Sequence, residues 1–217
     1  MTADAIDVAA HTLVQARYAI ALVGAGISVE SGIPPFRGAG GLWTKRGEPP
    51  MDAYRRFMED PAAGWRDMLA RRETDDELSR ALRDAKPNPA HHAMARLERL
   101  GVLRHTISQN VDDLHFQAGQ VAVTEIHGNR TKVRCIDCEQ RWPWAEFTIS
   151  DIPPYCPDCR GIVKSDTVMF GEPIPRSFLA ECQRQADMAD CVLIAGTSAT
   201  VYPAAAFPEI VLNRGGA

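Results

Sequence analysis

Tyr18-Ala19-Ile20-Ala21-Leu22-Val23-Gly24-Ala25-Gly26-Ile27-Ser28 is the stretch whose reading decides the fold. Residues 18–23 form a short apolar run that stops at Gly24. That pattern belongs to a buried strand of a parallel sheet whose C-terminal end meets a tight turn. Small residues directly after such a strand let backbone N–H groups and a helix N-terminus approach a pyrophosphate. The match to G-x-G-x-x-G is incomplete, because Val29 stands at the third glycine position. Taken alone, the turn fits a dinucleotide site or a ligand-free strand end equally well.

Working outward, Ile6, Ala9, Ala10, Leu13 and Val14 recur at the spacing of one helical face, so a helix leads into the strand. Asn88 and Pro89 supply a cap and a first-turn proline, and Ala90, Met94, Leu97 and Leu100 mark the buried stripe of a helix that stops at Gly101. Further strands are expected at 102–108, 121–126 and 191–195. Strands alternating with helices argue an α/β chain with a parallel, Rossmann-like sheet. Residues 130–164 lack helical periodicity and carry Pro143, Pro153, Pro154 and Pro157, as an inserted module would. The division expected is 1–37, 85–129 and 165–217 for the Rossmann-like domain, 38–84 for a covering loop and helical lobe, and 130–164 for the small insert.

The chain has 217 residues, enough for one sizeable core but not for two large independent domains. It is 45% hydrophobic and 24% charged with a formal net charge of -4, the balance of a globular protein without a global field for nucleic acid. Arg130, Lys132 and Arg134 are the one weak basic grouping, so direct nucleic-acid binding is not expected. The first twenty residues carry Asp4 and Asp7 and lack a signal-peptide pattern, and no run is long enough to span a bilayer. A cytoplasmic protein is expected, and there cysteines serve as ligands or thiols more often than as disulfides.

Four of the six cysteines form two close pairs, Cys135-x-x-Cys138 and Cys156-x-x-Cys159, separated by 17 residues. This is the spacing of four thiolates on a tetrahedral zinc ion. Four protein ligands leave no open position, so a structural zinc-ribbon module is expected. Cys182 and Cys191 have no such neighbours and read as ordinary thiols.

Two further segments end in polar residues. Ser108-Gln109-Asn110-Val111-Asp112-Asp113-Leu114-His115 closes one expected strand, where open α/β sheets bind ligands. Glu125-Ile126-His127-Gly128 closes the next, and its imidazole has a reference pKa suited to reversible proton transfer at neutral pH. His11, His91, His92, His105 and His115 read as surface or structural.

With these segments in view, 24–38, Gly24-Ala-Gly-Ile-Ser-Val-Glu-Ser-Gly-Ile-Pro-Pro-Phe-Arg-Gly38, resembles the sirtuin signature almost residue for residue. Ser108-Gln-Asn-Val-Asp112 resembles the family's Gln-Asn-x-Asp motif, and the two cysteine pairs resemble its zinc module. The resemblance implies an NAD-dependent protein deacylase acting on acyl-lysine proteins or peptides. It places Gly24, Ala25, Gly26, Ser28, Phe36, Arg37, Gln109, Asn110, Asp112, Gly196, Thr197 and Ser198 around NAD, with Phe36 over the nicotinamide. It makes His127 the general base, with Asn110 and Asp112 orienting ribose or water. Val168, Phe170, Gly171 and Glu172, in an extended strand, and Val201 and Tyr202 would hold the peptide by strand addition.

The resemblance also implies the chemistry. The acyl oxygen attacks the ribose carbon bearing nicotinamide, which leaves; His127 helps deprotonate a ribose hydroxyl that attacks the resulting imidate, and water completes release of free lysine and O-acyl-ADP-ribose. Mono-ADP-ribosyl transfer, or a non-catalytic NAD and zinc-ribbon protein, are the alternatives. Family members that remove succinyl or malonyl groups carry Tyr-x-x-Arg after a tryptophan in the covering lobe. After Trp65 the arginine position is Arg71, but Met68 stands where the tyrosine would. A thioether offers no donor to a carboxylate, so neutral acyl groups, acetyl above all, are the expected substrates. A further apolar strand and an Asn-x-Glu-like segment, expected of the family after residue 207, are not found, which reads as a shortened form.

Overall fold

A computed structural model describes residues 3–38, 40–73 and 77–217. Its framework is a four-stranded parallel sheet of order β3-β2-β1-β7, made of β1 (Ala19–Val23), β2 (Leu103–Ser108), β3 (Val123–Glu125) and β7 (Cys191–Ala195). Every residue of β1 is buried, as a run without polar interruption requires between two neighbours. Its side chains alternate with the pleat. Ile20 and Leu22 join Ile107, Phe207 and Val211 on one face, while Ala21 and Val23 join Ile27, Met94 and Leu103 on the other. Each fully buried Ile, Leu or Val contributes about 1.5–3 kcal/mol.

Helices α1 (Ala3–Gln15), α6 (Pro89–Arg99), α8 (Arg176–Met188) and α9 (Ala206–Asn213) accompany the sheet. At the start of α6 the Asn88 side chain accepts from Ala90 N at 2.9 Å and His91 N at 3.3 Å, a capping box completed by the His91 ring. The leading helix forms, but its apolar stripe is largely uncovered, with Ile6 and Val14 exposed, because α1 meets the sheet at its edge strand β7. After β1 comes a 3-10 turn, Ala25–Ser31, in place of the α-helix expected at a phosphate loop. Gly32 in the left-handed region ends it, and Pro34 and Pro35 bar its extension.

Helices α2 (Leu42–Arg46), α3 (Ala53–Glu59), α4 (Pro61–Glu73) and α5 (Glu77–Asp84) form the segment between β1 and α6, and a short α7 (Leu114–Gln117) follows β2. A second sheet, order β5-β4-β6, joins β4 (Lys132–Cys135), β5 (Arg141–Pro143) and β6 (Val163–Ser165) in antiparallel pairs. Its core of Val133, Cys135, Cys156 and Val163 is closed by Trp65 and Phe57, and the Trp65 indole N–H donates to the Val163 carbonyl at 2.7 Å. The two ends of this insert touch: Asn129 N donates to Asp166 Oδ2 at 2.7 Å, and Asp166 N donates to the Lys132 carbonyl at 3.0 Å. Among the described residues no helix is long and apolar enough to cross a membrane.

Candidate functional site

The C-terminal ends of β1, β2, β3 and β7 deliver the motif residues to one edge of the sheet, the place where open α/β sheets take ligands. The turns after β1 and β7 meet first. Gly26 N donates to the Gly196 carbonyl at 2.7 Å, and a Cβ at Gly26 would lie 2.8 Å from Gly196 Cα. Gly24 N donates to the Ala195 carbonyl at 3.2 Å. These N–H groups are thus engaged within the protein rather than free for phosphate, and the glycines serve the close approach of two turns. Gln109 reaches across from β2, donating from Nε2 to Thr197 Oγ1 at 2.9 Å, while Ser198 Oγ pairs with Thr200 Oγ1 at 2.9 Å.

Behind this edge lies a buried polar chain. Ser28 Oγ donates to Asp112 Oδ2 at 2.6 Å and accepts from Asn110 Nδ2 at 3.1 Å; Asn110 Nδ2 also donates to the Gly24 carbonyl at 3.2 Å. Asp112 Oδ1 accepts from Leu114 N at 3.0 Å. His91, assigned no role from sequence, is part of the chain. Its Nδ1 accepts from Asn88 N at 3.3 Å, which leaves the proton of a neutral ring on Nε2, 3.5 Å from Ser28 Oγ. Burial holds its pKa down at about 4. A histidine at the third position of a helix gives no sequence signal for this; only the fold brings it under Ser28.

His127 is half-buried at the end of β3. Its Nδ1 lies 3.0 Å from the Gln109 carbonyl, which can only accept, so Nδ1 carries the proton and Nε2 keeps its lone pair. Burial lowers its pKa, outweighing the opposite effect of that hydrogen bond, and keeps the ring neutral at pH 7. Gly128, at φ 76°, turns the chain away where a side chain would overlap the Asp166 carbonyl.

A cleft with about 160 Å³ of internal space opens onto the Ser28–Asn110–Asp112 chain and runs between these residues and Ala25, Ile33 and Phe36. Leu42, and Leu78 and Leu82 of α5, complete its apolar wall, a contribution their sequence setting did not reveal. Phe36 is 38% exposed and stacks on Trp43 at 4.9 Å, which meets Phe170 edge-on at 5.4 Å. The Arg37 guanidinium lies 4.8 Å over Trp43 and pairs with Glu48 at 2.9 Å. An apolar cleft with a polar end made of one amide, one hydroxyl and one carboxylate suits a flat carboxamide-bearing ring joined to a ribose.

Residues 169–172 form a turn, with Glu172 N donating to the Met169 carbonyl at 3.0 Å, and no strand runs through 168–172. Val168 N donates to the His127 carbonyl at 2.9 Å, Tyr54 N to the Phe170 carbonyl at 3.0 Å, and Gly171 has φ 79°. Glu172 does not face outward either; its side chain is 3% exposed and bound to Arg134 at 2.6 Å. Val201 and Tyr202 lie on an exposed turn after β7, with the Tyr202 hydroxyl donating to Glu209 at 2.7 Å. Met68 is half-buried against the core of the second sheet, away from the cleft lining, and Arg71 on the same helix is exposed. The basic grouping is not a surface patch. Arg130 donates to the Leu82 carbonyl at 2.9 Å, Lys132 pairs with Glu125 at 3.2 Å, and Arg134 is buried.

The four sulfurs of Cys135, Cys138, Cys156 and Cys159 lie within 4.8 Å of one another, with Cys135 and Cys159 at 3.4 Å and Cys138 and Cys156 at 3.7 Å. Tetrahedral zinc with bonds of about 2.3 Å sets its sulfurs about 3.8 Å apart, so the cluster fits that ion and is too open for disulfides.

A parallel sheet with a polar edge, an apolar cleft and a four-thiol insert defines a dinucleotide-using protein with a structural metal module. The Sir2 family model matches residues 24–203. An NAD-dependent protein deacylase of Thermococcus kodakarensis is 46% identical over 214 residues, 96% of this chain and 80% of that protein. The crystal structure of a Sir2 homolog–NAD complex is 41% identical with a TM-score of 0.75, over 97% of this chain and 80% of that one. Sir2Tm bound to a propionylated peptide is 31% identical with a TM-score of 0.71, over 97% and 83%. The chain belongs to the Sir2 family.

Proposed function

We infer that this protein is an NAD-dependent protein lysine deacylase that releases nicotinamide, O-acyl-ADP-ribose and the free lysine. The observation that carries the reading is the His127 ring, with Nδ1 committed to the Gln109 carbonyl and Nε2 left as a proton acceptor after β3, on the same sheet edge as Gln109 and Asn110. NAD, when bound, supplies the glycosidic bond that is broken and the ribose that accepts the acyl group. Ser28, Asn110 and Asp112 orient the ribose end, Phe36 and its aromatic neighbours exclude water, and His127 takes the proton. Arg37, Gln109, Ala25, Thr197 and Ser198 belong to the same cofactor edge in this reading. Cys135, Cys138, Cys156 and Cys159 hold one zinc ion, which has no free position for substrate.

The substrate is an acylated lysine in a peptide or protein, taken against 168–171 and Val201–Tyr202, in a protein working in the cytoplasm. Acetyl and other neutral acyl groups are the preferred substrates in this reading. The five-part division of the chain, with 130–164 inserted into the Rossmann-like domain, is part of this proposal. The test is mass spectrometry of an acetyl-lysine peptide with and without NAD. Deacetylated peptide and acetyl-ADP-ribose are expected only with NAD, and His127→Ala should lower turnover by about 10²- to 10⁴-fold. ADP-ribose attached to protein, with the peptide still acetylated, would make the protein a mono-ADP-ribosyltransferase instead.

A further inference from the structure

Glu172 sits at the junction between the metal insert and the turn assigned to the peptide. Its Oε1 accepts from Arg134 Nη2 at 2.6 Å, and its Oε2 accepts from Met169 N at 2.8 Å and lies 3.0 Å from Lys164 Nζ. Lys164 is fully buried and also donates to the Ser165 carbonyl at 2.7 Å and the Thr167 carbonyl at 2.8 Å. Arg134 holds Asp166 with its Nε at 3.2 Å. Between residues 165 and 170 the backbone is therefore tied almost residue by residue: two carbonyls to Lys164, Val168 N to His127, Met169 N to Glu172, and the Phe170 carbonyl to Tyr54 N.

A carboxylate that is 3% exposed and holds three donors cannot also bind a substrate. It can shape the backbone that does. Arg134, its strongest partner, immediately precedes Cys135, a residue of the four-thiol cluster, and lies on the same strand β4. We propose that Glu172 is a positioning residue, which with Arg134 and Lys164 holds the 168–171 turn in its peptide-accepting shape before the acyl-lysine peptide arrives. The proposal rests on the deacylase reading for the identity of that ligand. Its physical basis is pre-organisation: a turn already held loses less freedom on binding, so the gain appears in peptide affinity. The groups that line the NAD cleft make no bond to Glu172, so cofactor affinity should not follow it.

The experiment measures the Kd of a fluorescent acetyl-lysine peptide by anisotropy, and of NAD separately, for wild type, Glu172→Gln and Glu172→Ala. Zinc content and Tm are recorded for each. Loss of a hydrogen bond to a charged group should weaken peptide binding about tenfold in Glu172→Gln and further in Glu172→Ala, since glutamine keeps one acceptor oxygen. NAD affinity should stay within about twofold. Unchanged peptide affinity, or equal weakening of peptide and NAD, overturns the proposal. Wild-type protein answers the question even if both variants fail to fold: the Met169 amide must resist hydrogen exchange without peptide, and free exchange there overturns it equally. Failure of the deacylase reading is distinct, because it shows in the wild type as a peptide left acetylated after incubation with NAD.

Discussion

The two sheets of this molecule solve the same problem with opposite means. In the four-stranded sheet, β1 is apolar throughout and is buried on both faces, so the hydrophobic effect carries it. In the three-stranded sheet, the central strand β4 buries Val133 and Cys135 but also Arg134, which is 3% exposed. An insert of about 35 residues cannot enclose enough apolar surface to stand alone. It draws on three other sources: a four-thiol cluster that fits a zinc ion, Trp65 borrowed from α4, and ion pairs that join Arg134, Arg141 and Lys164 to Asp166 and Glu172. Breaking a buried pair of this kind costs about 3–5 kcal/mol, more than such a pair contributes over a well-packed apolar replacement. Size decides the strategy.

The largest break in that contrast should come from the metal. We expect one zinc ion per chain by elemental analysis, and its removal by a chelator, or Cys156→Ser, should unfold the insert. Structural zinc is worth roughly 10–16 kcal/mol in small domains. Trp142, Trp144 and Trp65 report on the insert, whereas most helices lie outside it. Tryptophan fluorescence should therefore change before far-UV circular dichroism does. Simultaneous loss of both signals would mean that the two sheets fold as one unit.

Acid should act on the other region. The α/β part keeps its buried histidines neutral where the insert pairs its charges. His91 and His105 are held at about 4 by burial, against 6.5 when free. Between pH 4 and 6.5 the unfolded chain binds more protons, so their contribution is complete above 6.5 and is lost as pH falls towards 4. At 1.36 kcal/mol per unit each accounts for roughly 3 kcal/mol across that window. Urea unfolding at pH 7 and pH 4.5 should show a smaller loss for His105→Gln than for wild type. An equal loss would place the acid sensitivity in the insert's carboxylates instead.

The smallest effect is expected at Met68, which packs on the insert's core rather than lining the cleft. Wild type should favour acetyl- over succinyl-lysine peptide in kcat/KM by about ten- to a hundredfold, the worth of one hydrogen bond to a charged group. Met68→Tyr should move that ratio less than about threefold, within the range of a repacked surface side chain. A full reversal would show that this helix reaches the acyl group.

What could be read from sequence was whatever has a short period or a short spacing. The strand at 191–195, the Asn88 cap with Pro89, and two CxxC pairs each lie within a dozen residues and were legible. Arg134 meets Asp166 and Glu172 across 32 and 38 positions, so their pairing leaves no local pattern. That is why Arg134 read as part of a basic grouping and Glu172 as a substrate contact. The run Val168-Met169-Phe170 was expected to be extended on the family resemblance alone; instead other segments claim its backbone groups and a turn closes at Glu172. The bonds of Gly24 and Gly26 were equally invisible, since their partners come from the far end of the chain.

The touching ends of the insert have a consequence for how this architecture can vary. The chain leaves the parallel sheet at Asn129 and returns at Asp166, two residues joined by a hydrogen bond, so the host sees the same entry and exit whatever lies between. Closing a longer loop costs only about 0.6 kcal/mol per doubling of its length. The loops of the intervening segment can therefore be lengthened or trimmed without moving its two ends, provided that Lys132 and Arg141, which pair with Glu125, and Arg134 and Lys164, which pair with Glu172, are kept. Freedom of that kind ends at the hinge pair itself: Asn129 also bridges to Asp113 and Glu125, and Asp166 answers to two arginines.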